Sequence, residues 1–278
     1  MFGATLLAIG AAFLHAGWNF AVKQPTPGPH SDRWHALWGQ FFIAGIGCAG
    51  LVFALGGVPA SAWGWAALSG VTHVGYVWFL AKAYDLGDFS MSYPIARGTG
   101  AVIAAVGGVI ALNDSLSALN VIGIAICAAG LWLIAGPADS DHVRTALTVA
   151  ATIGVYSVLD SHGSRATGGN LYPLTVLVTT ALFTTLHGLA IGRRTTMASS
   201  LQLRWRRLTL AGAASVLTYW MVLIAVQRAS VGYVTALRES SVVIAAIVGV
   251  VFLKEPHARR RIIAACIALV GLAVLVAG

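Results

Sequence analysis

The chain has 278 residues, of which 58% are apolar and only 9% are Asp, Glu, Lys or Arg, whereas a soluble domain carries about 25% charged residues. A bilayer-spanning helix uses roughly 20 apolar residues, so ten of them take up about 200 and leave only short loops. That excludes a disordered chain, a nucleic-acid module and a secreted disulfide scaffold, and the net charge of +8 is read as topology.

Apolar runs fall at 3–22, 35–55, 62–83, 89–111, 116–135, 144–162, 172–191, 208–227, 231–253 and 262–277. Breaks such as Gly56-Gly57-Val58-Pro59 and Gly168-Gly169-Asn170 punctuate them. The runs are too long and too uniformly apolar for barrel strands, so the expected fold is an all-α polytopic membrane protein with ten transmembrane helices. The first run lacks a basic leader and a cleavage site, so it reads as a span and not a signal peptide. Cys48, Cys127 and Cys266 lie within apolar runs without pairing motifs and read as buried packing residues.

An ionisable group in the bilayer costs at least ~2.5–3.5 kcal/mol on insertion scales, so each needs a reason. Helix 1 places His15, Asn19 and Lys23 on one stripe, with Trp18 beside it. Helix 3 has His73 near its centre, with Tyr76 and Trp78 following. Helix 4 carries Pro94, which frees a backbone carbonyl, and Arg97. Arg97 lies ~12 Å from the start of its helix and Arg238 ~11 Å from the start of helix 9. If the helices run in opposite directions, the two guanidiniums approach the midplane from opposite faces and leave room for an anion between them. Asp160 of helix 6 and Glu239 of helix 9 are the acids available to balance them, while His15 is a further coupling candidate. Tyr219 and Trp220 add aromatic surface from helix 8. Helices 5 and 10 are nearly free of polar side chains and read as peripheral scaffold or a homodimer face. Trp34, Trp38, Trp63, Trp65 and Trp205 read as interfacial belt residues.

A shift of 141 residues aligns the segment from Ala96 to Ala105 with that from Leu237 to Ala246, placing Arg97 on Arg238 and Gly98 on Glu239. The register continues through Asp114/Glu255 and Gly130/Gly271. Two five-helix repeats are therefore expected, at 1–136 and 142–278. Five is odd, so the second repeat is expected to enter the membrane inverted, an arrangement found in secondary transporters with the site at the repeat interface. Loops after helices 1, 3, 5, 7 and 9 hold thirteen Lys and Arg residues against two, Arg165 and Arg228, on the opposite face. This puts the odd loops in the cytoplasm and both termini outside.

The ten helices, the repeat, His15-Ala16-Gly17-Trp18-Asn19 followed by Lys23, and the Leu112-Asn113-Asp114 and Leu253-Lys254-Glu255 endings of helices 4 and 9 resemble the drug/metabolite transporter superfamily, EamA-type branch. The resemblance spans essentially the whole chain. It implies a multi-pass inner-membrane carrier, commonly an exporter of amino acids, metabolites or drugs, with a cavity lined by helices 1–4 and 6–9. Many members place both termini inside, the reverse of the charge count here.

The leading function is a secondary carrier of a small organic anion or zwitterion, such as an amino acid, driven by protons or exchange. Arg97 and Arg238 would bind the acidic group, and Trp18, Asn19, His73, Tyr76, Trp78, Tyr219 and Trp220 the remainder. His73, near mid-membrane, is the first candidate for proton coupling, with Asp160 or Glu239 next. No cofactor, metal or nucleic acid is expected. A membrane-embedded enzyme is the alternative, but no H-E-x-x-H or G-x-S-x-G pattern supports it. A channel is the third class, distinguished by conduction without saturation. A retinal-type receptor fails because Lys23, Lys82 and Lys254 sit at helix ends. The topology is testable with single cysteines in a cysteine-free background. Positions in 192–207 should resist an impermeant thiol reagent in intact cells while Gly278→Cys reacts, and the opposite labelling would invert the assignment.

Overall fold

The computed structural model describes residues 2–23, 33–85, 89–135, 140–244 and 258–278, with side chains from 17–32, 84, 86–92, 136–139 and 245–258 outside that description. Ten helices occur among the described residues: α1 (Phe2–Lys23), α2 (Arg33–Ala54), α3 (Ala60–Asp85), α4 (Phe89–Leu112), α5 (Ala118–Ala135), α6 (Ser140–Thr167), α7 (Tyr172–Ala190), α8 (Arg194–Ala225), α9 (Val231–Arg238) and α10 (Ala258–Ala277). No strand occurs among them. Seven, namely α2, α4, α5, α6, α7, α8 and α10, contain stretches long and apolar enough to cross a membrane. The 26-residue α3 is long enough but carries Ser69, Thr72 and His73 along its middle.

Two elements differ from the sequence expectation. The stretch 194–207, expected as a basic loop, forms the first turns of α8. Glycine and proline are absent from it, and Met197, Ala198, Leu201, Gln202 and Arg204 are good helix formers. At 32 residues, α8 is ~48 Å long by the usual rise, so its basic end outruns a hydrocarbon core of ~30 Å. Helix 9 was expected to run unbroken. It starts at the N-cap Ser230, whose hydroxyl accepts from Tyr233 N. It then stops at Arg238 with a turn at Glu239, where Glu239 N bonds Ala236 O, and helix resumes over 240–244. The break coincides with the buried charges.

Packing pairs the two halves. The contacts α4–α6 and α9–α1, α3–α6 and α8–α1, α3–α7 and α8–α2 come in matched sets, while α2–α7 and α5–α10 are their own mates. The α5–α10 seam is built on small residues, as close helix approach in lipid requires. A Cβ on Gly130 would meet Ala268 N at 2.6 Å, and one on Gly271 would collide with Cys127 N. Asn120 Nδ2 donates to Leu275 O at 2.9 Å on the same seam. The faces expected at the periphery thus also pack on each other within one chain, with Leu119, Ile122, Trp132 and Leu133 pointing outward.

At the end of the bundle that holds the last turn of α6, Asp114 ties elements together. Asn113 takes the left-handed conformation (φ 53°), which Asn tolerates, and ends α4. Asp114 then accepts from Arg165 at 2.6 and 3.3 Å and from Val231 N at 2.7 Å. Arg165 also donates to Val226 O and Ala229 O. At the opposite end Trp34 and Trp38, expected in the interfacial belt, are instead core residues, stacked with centroids 6.1 Å apart. They are placed there because Trp38 Nε1 finds Thr185 Oγ1 at 2.9 Å and Arg193 lies over Trp34 at 4.9 Å. Trp65, partly buried, lies tilted against His162 with ring centroids 4.2 Å apart, whereas Trp63 and Trp205 are exposed. Cys48 and Cys127 are buried, but Cys266 is exposed, because its face of α10 points away from α5.

Gly130→Val should destabilise the folded protein by ~1–3 kcal/mol through overpacking. Gly64, which faces open space, should tolerate Ala with a far smaller loss. Melting temperatures of the two purified variants in one detergent check the contrast.

Candidate functional site

The centre of the bundle is a set of polar side chains from six helices. Arg97 of α4 is 2% exposed and Glu239, in the turn after α9, is 2% exposed. Arg97 Nε donates to Glu239 Oε2 at 3.0 Å and Nη2 pairs with Oε1 at 2.7 Å. This side-on bidentate geometry uses the planar fork of arginine fully. It leaves Arg97 Nη1 buried and without a hydrogen-bond partner among the described residues. Glu239 therefore makes its ion pair with the arginine of the other half and not with its sequence neighbour Arg238.

Arg238 is 5% exposed. It forms no ion pair with an acid among the described residues, and its Nε has no partner among them. The repeat register explains the inequality. Glu239 follows Arg238, and its counterpart after Arg97 is Gly98. Among the described residues Glu239 is the one carboxylate in direct contact with either arginine, and that contact goes to Arg97, while Glu239 and Asp160 act on Arg238 from further off. Both guanidiniums act electrostatically on His15, Tyr76, Tyr93 and Tyr156, which places these groups around a shared centre. His15 Nε2 and Tyr93 OH are hydrogen-bonded at 2.9 Å, joining α1 to α4.

His73 occupies the neighbouring space. Its ring stacks on Tyr156 at 4.3 Å and meets Tyr76, Tyr219 and Phe41 edge-on at 5.9, 6.0 and 6.3 Å. Nδ1 lies 2.9 Å from Ser69 O and 3.2 Å from Ser69 Oγ. A carbonyl only accepts, so Nδ1 carries the proton and Nε2 presents a lone pair when the ring is neutral. The Ser69 hydroxyl also lies beside Asp160. Asp160 is fully buried. Its Oδ2 accepts a hydrogen bond from Tyr219 OH, and Oδ1 has no partner among the described residues. Asp160, expected as a counter-ion for Arg238, bonds Tyr219 directly and meets Arg238 as a charge at longer range.

Not every aromatic expected here belongs to this centre. Trp78 turns toward the far end, 5.3 Å from His187 and 5.6 Å from the Arg193 guanidinium. Trp220 Nε1 donates to Asn170 O at 2.9 Å and so holds the α6–α7 loop. A helical step of 100° separates Trp220 from Tyr219, so only one of the two faces inward. Trp18 and Asn19 lie on α1, with their side chains outside the described residues. Ser69, Tyr93 and Phe41 were missed. Ser69 and Tyr93 each stand four residues before a singled-out group, His73 and Arg97, and one helical turn of spacing was the signal available. Among the described residues, no three His, Cys, Asp or Glu side chains gather as a metal site. Chemically, the centre offers guanidinium donors for an acid, tyrosine hydroxyls and ring faces, and one carboxyl with a free oxygen.

The model of the EamA-like transporter family matches residues 2–136 and, a second time, 143–277. One solved structure, described only as a crystal structure of a protein, superposes with a TM-score of 0.74 over 98% of both chains at 19% identity, a likeness of fold alone. No protein of curated function matches the sequence.

Removing either partner of the central pair strands a buried charge, which typically costs 3–5 kcal/mol. Arg97→Gln and Glu239→Gln should therefore each lower the melting temperature strongly. The double variant, which strands neither charge, should recover much of the loss. Additive losses in the double variant would show that the pair contributes little.

Proposed function

Because the chain belongs to the EamA-like transporter family, and so is a multi-pass membrane protein of a transporter family, we propose that it is a secondary carrier of a small organic anion or zwitterion, an amino acid or related metabolite. Its two halves act as inverted five-helix repeats in the inner membrane, with both termini outside, and alternate access around the central cluster. The matched helix pairings of α1–α4 with α6–α9 support the two-fold relation.

The observation that carries the substrate class is the unequal fate of the two arginines. Arg97 is matched by Glu239, while Arg238 is buried with no acid of its own among the described residues. A buried guanidinium without an anion is costly, and an anionic substrate supplies the missing charge. Arg238 binds the acidic group, assisted by the unused Nη1 of Arg97, and the tyrosines and His73 contact the remainder. Arg97 thereby acts mainly as the partner of Glu239. The sequence carries no phosphate-binding P-loop, so the energy comes from an ion gradient or from exchange. The Asp160–Ser69–His73 unit is the proton carrier of this reading: a carboxyl with a free oxygen, a hydroxyl and an imidazole in sequence. An anion arriving near these groups favours their protonated forms, so substrate and proton bind together and uptake rises as the pH on the substrate side falls.

Uptake and counterflow in proteoliposomes with a library of amino acids and small carboxylates test the proposal. Saturable transport is expected, and conduction without saturation would indicate a channel. Arg238→Gln should weaken anion binding by about 1.5–3 kcal/mol, with Arg238→Lys rescuing poorly because an ammonium lacks the fork. Asp160→Asn and His73→Gln should flatten the pH profile while preserving exchange. Wild-type kinetics in Arg238→Gln would overturn the substrate assignment, and an unchanged pH profile in both other variants would overturn the coupling.

A further inference from the structure

A groove of about 430 Å³ lies outside the central cluster, between the last turn of α5 and the first turns of α10, lined by Leu133, Arg259, Arg260, Ile263 and Ala264. Leu133 is 47% and Ile263 51% exposed, on the outward side of the α5–α10 seam. Arg260 Nε is buried yet has no hydrogen-bond partner among the described residues. Neither Arg259 nor Arg260 forms an ion pair with a described acid. Both stand within the first turn of α10, and Leu133 stands two residues from the end of α5. The groove therefore sits where a helix leaves the hydrocarbon core, with its charges toward the water and its apolar wall toward the acyl chains.

We propose that this groove binds an anionic phospholipid of the membrane, its phosphodiester on the guanidiniums of Arg259 and Arg260 and an acyl chain along Leu133 and Ile263. Guanidinium and phosphate match in charge and in bidentate geometry. A soluble anion would leave the apolar wall uncovered, and a zwitterionic lipid would bring a second cation against two arginines. A second groove, between α4 and α5, provides the contrast. It measures about 280 Å³ and is walled by Val102, Val106, Val109, Leu116 and Ile124 among other apolar residues, with no charge, so it has nothing with which to select a headgroup. The occupied Arg259/Arg260 groove joins α5 of the first half to α10 of the second at their outer side. A bound lipid there acts as a third component of a seam whose inner side is backbone against backbone.

Native mass spectrometry of the whole purified protein, released from detergent with phosphatidylglycerol or phosphatidylcholine added, reads this directly. One phosphatidylglycerol per chain should be retained in preference to phosphatidylcholine. Arg259→Gln/Arg260→Gln should weaken retention at least about tenfold. Ile263→Trp keeps both charges but fills the groove, and should also weaken it. Arg204→Gln/Arg206→Gln/Arg207→Gln removes three charges from α8, one more than the groove variant, and should leave retention unchanged. Equal retention of both lipids, or equal loss in the α8 variant, would reduce the effect to diffuse surface charge and overturn the site. Complete displacement by excess inorganic phosphate would overturn the lipid assignment, because the acyl contacts would then contribute nothing.

Discussion

A guanidinium and a carboxylate taken together out of water are tolerable only while they face one another. That condition governs the middle of this bundle. Arg97 comes from the fourth helix and Glu239 from the turn after the ninth, and their two-point contact at 2.7 and 3.0 Å fixes those elements against each other. The helix of the second half interrupts itself at Glu239, so the carboxylate sits in a turn and not on a regular helical face. Desolvating both ions offsets much of their attraction. The pair is therefore better understood as a device that fixes register between the halves than as a large source of stability.

Around it the protein is polar at the centre and apolar at the surface. Hydroxyls and imidazoles from α1, α3, α4, α6 and α8 surround the charges, with His15 bonded to Tyr93, His73 to Ser69 and Tyr219 to Asp160. Arg97 Nη1, Arg238 Nε and Asp160 Oδ1 are buried there without a hydrogen-bond partner among the described residues, as are Ser157 Oγ, Ser215 Oγ and Thr218 Oγ1 on the same helices. In contrast, α5 and α10 meet through glycine and alanine, with Cys127 and Asn120 beside them. The polar groups of the centre thus come from α1, α3, α4, α6, α8 and the α9 end, and the last helix of each half contributes none of them.

Much of this was legible from residue order because membrane helices leave little freedom. The spans, the internal repeat and the intramembrane ions Arg97, Arg238, Asp160 and Glu239 all declare themselves through the expense of a charge in lipid. What was not legible was pairing. Glu239 lies next to Arg238 in sequence and opposite Arg97 in space, and no local rule names the distant partner. Tryptophans misled for a related reason. Trp34 and Trp38 sit near a helix end, where an interfacial role is the common one, yet contacts with Thr185 and Arg193, over 140 residues away, draw them inward. Trp78 and Trp220 are adjacent to site residues in sequence, but helical rotation turns them out. The helical start of α8 was hidden by its arginines, which mark a segment outside the hydrocarbon core without saying whether it is coiled.

The contact between Asp114 and the amide of Val231 has a meaning for how the halves can separate. The first N–H groups of a helix lack partners within it, so the ninth helix begins on an acceptor lent by the loop after the fourth. Arg165, gripping the same carboxylate, closes off the carbonyls of Val226 and Ala229 just ahead of that beginning. Further along, Tyr233 of the same short helix shares a hydrogen bond with Thr5 of α1. The segment that presents Arg238 is thereby spliced to α1, α4 and α6 at once. Any parting of the two halves at this end must first strip a helix of its opening hydrogen bond.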